Sequence, residues 1–175
     1  MIHKLHIYTG NGKGKTTAGM GMALRFLGHD RTVLVAQFLK KGNSGELTAL
    51  GRFPGATMMS APPLSGFTFR MTDEERRQAA LDQTAFAGEI RDRIELVQPD
   101  MILLDELNNA VALGMVPEDL ALRLIDTALR FGETVSTGRS APESFLARAD
   151  YITRMEAVRH PYLTEQLRAR EGVEW

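Results

Sequence analysis

The sequence predicts an α/β protein, a three-layer α/β/α arrangement around a mainly parallel sheet. Three observations point there. Short runs of apolar and β-branched residues alternate with helical patterns along the chain. Two of these runs, Thr32-Val33-Leu34-Val35-Ala36 and Met101-Ile102-Leu103-Leu104, are nearly continuous rather than alternating, as strands covered on both faces are. Leu5-His6-Ile7-Tyr8 runs into a glycine-rich turn and then a helical pattern.

After that first strand, Thr16 to Leu27 reads as a helix closing near Gly28, and Thr32 to Ala36 as the second strand. The stretch from Lys40 to Gly66 is rich in glycine, proline and serine, with Ala56 to Met59 a short strand inside it. Thr72 and Glu75 form a capping-box signature, so a long helix is expected to about Val97, ended by Pro99. Met101 to Leu104 runs into Asp105 and Glu106, and Pro117 opens a further helix. Glu133 to Thr137, a helix from about Pro142 to Ala149, and Tyr151 to Met155 complete the pattern. No repeat or linker interrupts it, and 175 residues fit one domain, 1–175.

Composition narrows the function classes. There is no cysteine, which excludes thiolate metal sites, iron–sulfur clusters and cysteine nucleophiles and fits a reducing cytoplasm. No apolar run approaches the roughly 18 residues of a spanning helix, and no signal-peptide core opens the chain, so a cytoplasmic protein with no membrane partner is expected. Lysine and arginine number 21 against 22 acidic residues, a net charge of −1 that argues against nucleic acid as a partner.

Thr9-Gly10-Asn11-Gly12-Lys13-Gly14-Lys15-Thr16 carries the strongest chemical signal. It matches G-x-x-x-x-G-K-[ST] except that Thr9 replaces the opening glycine. Gly10, Gly12 and Gly14 permit positive φ and close backbone approach, so amides can turn inward on an anion. The helix beginning beside Lys15 adds its N-terminal dipole. Lys15 supplies a point charge to phosphate oxygens, and the Thr16 hydroxyl is placed for Mg²⁺. A plain glycine-rich turn with two solvated lysines would not require the strand–loop–helix setting found here. The loop therefore indicates a nucleoside triphosphate and a P-loop NTPase-like, RecA-like sheet, without saying what is done with the nucleotide.

Asp105 and Glu106 follow an apolar strand at the sheet edge where ligands bind in parallel folds. Glu106 is favoured as the metal-side residue and Asp105 as its support, although one acid alone can cap the helix starting near Leu107. Arg139, after another strand, is positioned for phosphate or substrate carboxylates, or is a surface arginine in a tight turn. His3, His6, His29 and His160 have no metal-ligand spacing. Phe67-Thr68-Phe69 either pins its loop to the core or faces a large flat apolar ligand.

The chain resembles the P-loop corrinoid adenosyltransferases over nearly its whole length. The resemblance rests on Thr9-Gly-Asn-Gly-Lys-Gly-Lys-Thr-Thr17, Val35-Ala-Gln-Phe-Leu-Lys40, Gly66-Phe-Thr-Phe69 and Leu104-Asp-Glu-Leu107. Thr137-Gly-Arg139, Ala149-Asp150, Arg159-His160-Pro161 and Gly172-Val-Glu-Trp175 extend it. It implies an enzyme that moves the 5′-deoxyadenosyl group of ATP to the Co(I) of a corrinoid, releasing triphosphate, in adenosylcobalamin biosynthesis or salvage. ATP is then held by Gly10, Asn11, Gly12, Lys13, Gly14, Lys15, Thr16, Thr17 and Arg139, with Mg²⁺ at Thr16, Glu106 and Asp105. Lys15 acts on the triphosphate. Phe67 and Phe69, the latter standing where relatives carry tryptophan, crowd the lower face of the corrin ring. A homodimer and an electron donor, a flavodoxin or flavoprotein reductase for Co(II), are the implied partners. The first strand starts almost at the N-terminus, without the longer arm of some relatives, so the site is expected to close differently or stay more open. An ordinary P-loop ATPase or kinase, or a non-catalytic ATP-dependent corrinoid-binding module, are the alternatives to the transferase.

Overall fold

The computed structural model describes residues 2–40, 42, 44–64, 66 and 70–173. Phe67 and Phe69 lie outside the described residues. Along the chain run β1 (Leu5–Thr9), α1 (Lys15–Leu27), β2 (Val33–Gln37), α2 (Gly45–Leu50), β3 (Ala56–Ser60) and α3 (Asp73–Val97). There follow β4 (Met101–Asp105), α4 (Leu107–Ala112), α5 (Glu118–Phe131), β5 (Glu133–Thr137), α6 (Glu143–Arg148), β6 (Tyr151–Arg154) and α7 (Pro161–Glu165). The six strands make one sheet in the order β3-β2-β4-β5-β1-β6, with every pairing parallel.

The sheet separates two apolar layers because its residues point alternately to either side. Leu5, Ile7, Leu34, Ala36, Ile102 and Leu104 face α3, α4, α5 and α6, where Phe86, Ile90, Ile94, Leu124, Ile125 and Phe145 close the core. Val33, Val35, Met101, Leu103 and Val135 face α1 and α2. β2 and β4 are buried at every position, as their unbroken apolar runs predict. α1 lies so close to the sheet that a methyl at Gly19 would come within 2.7 Å of a Leu103 methyl. The strand β6, at one edge, is exposed throughout.

The capping box is present as read: the Glu75 N–H donates to Thr72 Oγ1 at 3.2 Å and the Thr72 N–H to Glu75 Oε2 at 2.8 Å. α3 ends at Gln98, which takes the left-handed conformation (φ 46°) immediately before Pro99. A non-glycine residue is strained there, so Gln98→Gly is expected to stabilise the protein by about 0.5–1 kcal/mol in urea unfolding.

Two helices lie where the sequence shows no helical period. α2 is six residues inside the glycine-, proline- and serine-rich stretch, started by Ser44, whose Oγ accepts from the Leu47 N–H at 3.4 Å. α7 is five residues, started by His160, whose Nδ1 accepts from the Tyr162 N–H. Neither is long enough to display an amphipathic repeat. β6 ends at Arg154, one residue short of the expected Met155, whose N–H still donates to the Thr9 carbonyl of β1 but whose C=O accepts from the Gly12 N–H of the β1–α1 loop. Among the described residues no helix is long and apolar enough to cross a membrane.

Candidate active site

The carboxyl ends of β1, β2, β4 and β5 meet at one edge of the sheet, where a cleft of about 1380 Å³ opens. Asn11, Gly12, Lys13, Gly14, Lys15, Thr16, Thr17, Glu106 and Arg139 line it, so most of the expected nucleotide-site residues are brought together. Gln37, Lys40, Glu46 and His160 line it as well.

The β1–α1 loop is shaped from two sides. Thr9 needs no glycine's freedom because it is the last residue of β1, paired with Arg154, and its Oγ1 accepts from the Ala141 N–H at 3.3 Å. Gly14 stands at the N-cap of α1 with φ 107°, a conformation that turns the chain into the helix. Gly12 is not in the left-handed region. Its requirement is steric: a Cβ there would lie 2.8 Å from the Met155 carbonyl group. The Gly12 N–H donates to the Met155 carbonyl at 2.8 Å, so this amide braces the loop rather than facing an anion. Gly10 sits under the same Met155 backbone and borders a separate hollow of about 620 Å³, not the main cleft. The Lys15 ammonium folds back onto the Gly12 carbonyl at 2.5 Å. Burial lowers its pKa, Arg139 and Lys40 lower it further, and the carboxylates of Glu106 and Asp105 oppose them.

Asp105 is the hub of the site. It is wholly buried, and its two oxygens accept four hydrogen bonds. Thr16 Oγ1 (2.9 Å) and Thr137 Oγ1 (2.6 Å) donate to Oδ1. Gln37 Nε2 and Lys40 Nζ donate to Oδ2, each at 2.8 Å. Burial would push this carboxyl up, but the Lys40 charge and these donors overcome it and hold its pKa below the usual range. The partners come from different elements: Gln37 is set beside Asp105 by the β2–β4 register, and Thr137 ends β5.

Lys40 reaches the hub because the chain turns sharply after β2. Leu39 has φ 58°, and its N–H donates to the buried Gln83 Oε1 of α3 at 3.1 Å. Lys40 Nζ then lies 2.8 Å from Thr16 Oγ1 and 3.6 Å from Glu106 Oε1. Burial works against its charge, yet Asp105 and Glu106 raise its pKa above that of an ordinary lysine.

Glu106 also has a left-handed backbone (φ 63°), and its N–H donates to Thr137 Oγ1 at 3.0 Å. It stands at the N-cap of α4, as one of the two acids was expected to, but its side chain makes no cap hydrogen bond; Asp105 binds inward and Glu106 faces the cleft. Asn108, fully buried behind them, accepts from Ser136 Oγ at 2.6 Å and donates to the Tyr8 and Gly138 carbonyls, fixing β1 and β5 under the site. Gly138 admits no side chain, since a Cβ would come within 2.8 Å of the Asn109 nitrogen. Arg139 beyond it is exposed at the mouth and forms no ion pair among the described residues.

Several sequence features resolve into structural roles. Asp150 pairs with Lys4 and accepts from the Leu5 N–H, pinning the start of β1. His6 bonds Glu133 and stacks on Tyr151, and His3 bonds the Leu129 carbonyl. Among the described residues no three histidine or acidic side chains form a metal cluster. Leu64 and Gly66, which flank the aromatic loop, line the cleft. Gln37, Lys40 and Thr137 lie in motifs that carry the resemblance, but reading the sequence gave them no role in the site. Their signal is positional, since each lies at or just beyond the carboxyl end of a strand next to β4.

The chain matches the family model described as ATP:corrinoid adenosyltransferase BtuR/CobO/CobP over residues 3–175. It is 33% identical to a corrinoid adenosyltransferase of Pseudomonas aeruginosa over 98% of this chain and 83% of the relative. A corrinoid adenosyltransferase of Sinorhizobium is 31% identical over 97% and 78%. The corrinoid adenosyltransferase CobA of Salmonella typhimurium is 30% identical over 97% and 84%. With a nucleotide-shaped loop at the sheet edge and a match along almost its full length, the chain belongs to the ATP:corrinoid adenosyltransferase family.

Proposed function

We propose that this protein transfers the 5′-deoxyadenosyl group of ATP to the Co(I) of a corrinoid, in adenosylcobalamin biosynthesis or salvage. The single observation that carries the reading is the full-length family match joined to a cleft built around Lys15, Thr16 and Asp105. In the reaction the cobalt electron pair forms a bond to C5′ while the C5′–O5′ bond breaks, and its electrons leave on triphosphate. Cobalt carries no proton, so no general base is required. The task left to the chain is to hold the triphosphate and to align C5′ with the acceptor.

Lys15 and Arg139 supply positive charge to a leaving group that gains negative charge, and the α1 N-terminus adds its dipole. Mg²⁺ fits the residues present. Thr16 Oγ1 and Glu106 offer hard oxygens, and the wholly buried Gln37 Oε1 lines the cleft with no donor among the described residues. Mg²⁺ keeps several of its waters when bound, and such a water would give Gln37 Oε1 the donor it lacks. When bound, the ion neutralises triphosphate charge. Asp105 holds Thr16 and thereby orients its hydroxyl.

Phe67 and Phe69 are assigned, on the resemblance alone, to the lower face of the corrin. A cytoplasmic homodimer fed by a flavodoxin or flavoprotein reductase completes the reading. In its support, β6 is an exposed edge strand on which Tyr151 and Ile152 are each more than half exposed, an open edge of the kind a second copy covers. The test is incubation with ATP, Mg²⁺ and chemically reduced cobalamin. A light-sensitive alkylcobalt spectrum that requires ATP is expected; an unchanged corrinoid spectrum would refute the activity.

A further inference from the structure

Lys40 occupies the ground that the reading above gives to the metal. Its ammonium touches Thr16 Oγ1 and Asp105 Oδ2 at 2.8 Å each and faces Glu106 Oε1 at 3.6 Å. A divalent cation ligated by Thr16 and Glu106 would have to sit among the same oxygens. Ammonium and metal cannot share that space, because both are cations seeking one set of lone pairs.

Two further features bear on the overlap. Asp105 has no exposed surface, so a buried carboxylate is left uncompensated whenever no cation stands beside it. Lys40, by contrast, keeps a third of its side chain exposed on a flexible four-carbon stem and can leave. The ammonium also leaves one group unserved. Gln37 Oε1 is buried at the cleft and receives no donor from the described residues, although Gln37 Nε2 shares Asp105 Oδ2 with Lys40. A hydrated metal carries O–H donors to spare; the ammonium has already turned its contacts to Thr16, Asp105 and Glu106. The pocket therefore suits a hydrated divalent ion better than the lysine now in it.

We propose that Lys40 is an exchangeable internal cation. It neutralises Asp105 while the cleft holds no nucleotide. It yields Thr16 and Glu106 to the divalent metal that arrives with the triphosphate, turning its own charge toward the incoming phosphates. The inference rests on the reading of this cleft as a metal–nucleotide site and deepens it. Its consequence is ordering: metal alone competes poorly with a tethered ammonium, whereas metal carried by triphosphate brings a new partner for the displaced lysine. Each ligand then raises affinity for the other by the same factor.

The test uses the full chain and Mn²⁺, followed by electron paramagnetic resonance, with wild type, Lys40→Ala and Lys40→Gln. Without nucleotide, both variants are expected to bind one Mn²⁺ at least about tenfold more tightly than wild type, and Mn²⁺ is expected to raise their melting temperatures but not that of wild type. Equal Mn²⁺ affinity in all three proteins would overturn the proposal. So would a Lys40→Ala protein that stays unfolded at saturating Mn²⁺, since exchange requires that the metal can replace the ammonium. Adding ATP to wild type separates the two levels of the argument. Tight Mn²⁺–ATP binding together with equal nucleotide-free affinities removes the exchange alone, whereas no Mn²⁺–ATP binding removes the metal–nucleotide site itself.

Discussion

Asp105→Asn is expected to destabilise the protein by about 3 kcal/mol, the lower end of the cost of breaking a buried ion pair. In a chain of this length that lowers the melting temperature by roughly 6–12 °C. The carboxylate accepts from Thr16, Thr137, Gln37 and Lys40, and an amide replaces half of its acceptor capacity with donors aimed at other donors. The lower figure applies because Lys40 is partly exposed and can turn toward Glu106 or water. The effect carries a pH signature. The Asp105 pKa is lowered in the folded protein, despite its burial, by Lys40 and the surrounding donors. Its contribution is therefore complete above the ordinary carboxylate value of about 3.9 and is lost only as pH falls through the lower folded value. Urea unfolding at neutral pH and in acid should show the gap between wild type and variant full at pH 7 and shrinking only below about pH 4.

Lys15→Ala is expected to behave in the opposite manner, losing function without losing stability. A charge-assisted contact to phosphate in a partly desolvated loop makes a loss of at least about 100-fold in ATP affinity and adenosyl transfer the expected result. Folding should change by less than about 1 kcal/mol. Among the described residues Lys15 has only the Gly12 carbonyl as a hydrogen-bond partner, and the attraction of Glu106 and Asp105 is opposed by its burial and by the repulsion of Arg139 and Lys40. Removing one of several like charges relieves that repulsion as it removes the hydrogen bond. Calorimetric titration with Mg²⁺–ATP beside thermal unfolding checks both halves of the prediction. ATP affinity within threefold of wild type would remove Lys15 from its assigned role.

The contrast between these residues shows which parts of the site could be read along the chain. The Lys15 signal is local, since glycines, lysine and threonine at fixed spacing between strand and helix are enough. The long apolar strands β2 and β4 and the Thr72–Glu75 cap are local in the same sense, and the structure has them where their residues predict. The hub around Asp105 is not local. Gln37 and Asp105 are separated by 68 residues and meet only because β2 and β4 are neighbours in register, while β5 stands between β4 and β1. That strand order is set by how the helices pack, and no segment carries it alone. Lys40 was further hidden in a stretch whose glycines and serines read as loop, although the turn at Leu39 and the Gln83 contact give it a fixed place. Gly12 shows a subtler limit. Its identity reads as freedom to wrap an anion, yet in the structure it is needed for its size, since like Gly10 it passes beneath the Met155 backbone where a Cβ would not fit.

The claim on which the account depends is that the triphosphate is the leaving group, so that carbon rather than phosphorus is attacked. Phosphorus-31 magnetic resonance of a reaction with ATP, Mg²⁺ and Co(I) corrinoid tests it directly. Intact inorganic triphosphate should accumulate in step with the alkylcobalt product. ADP and orthophosphate in its place would contradict the account.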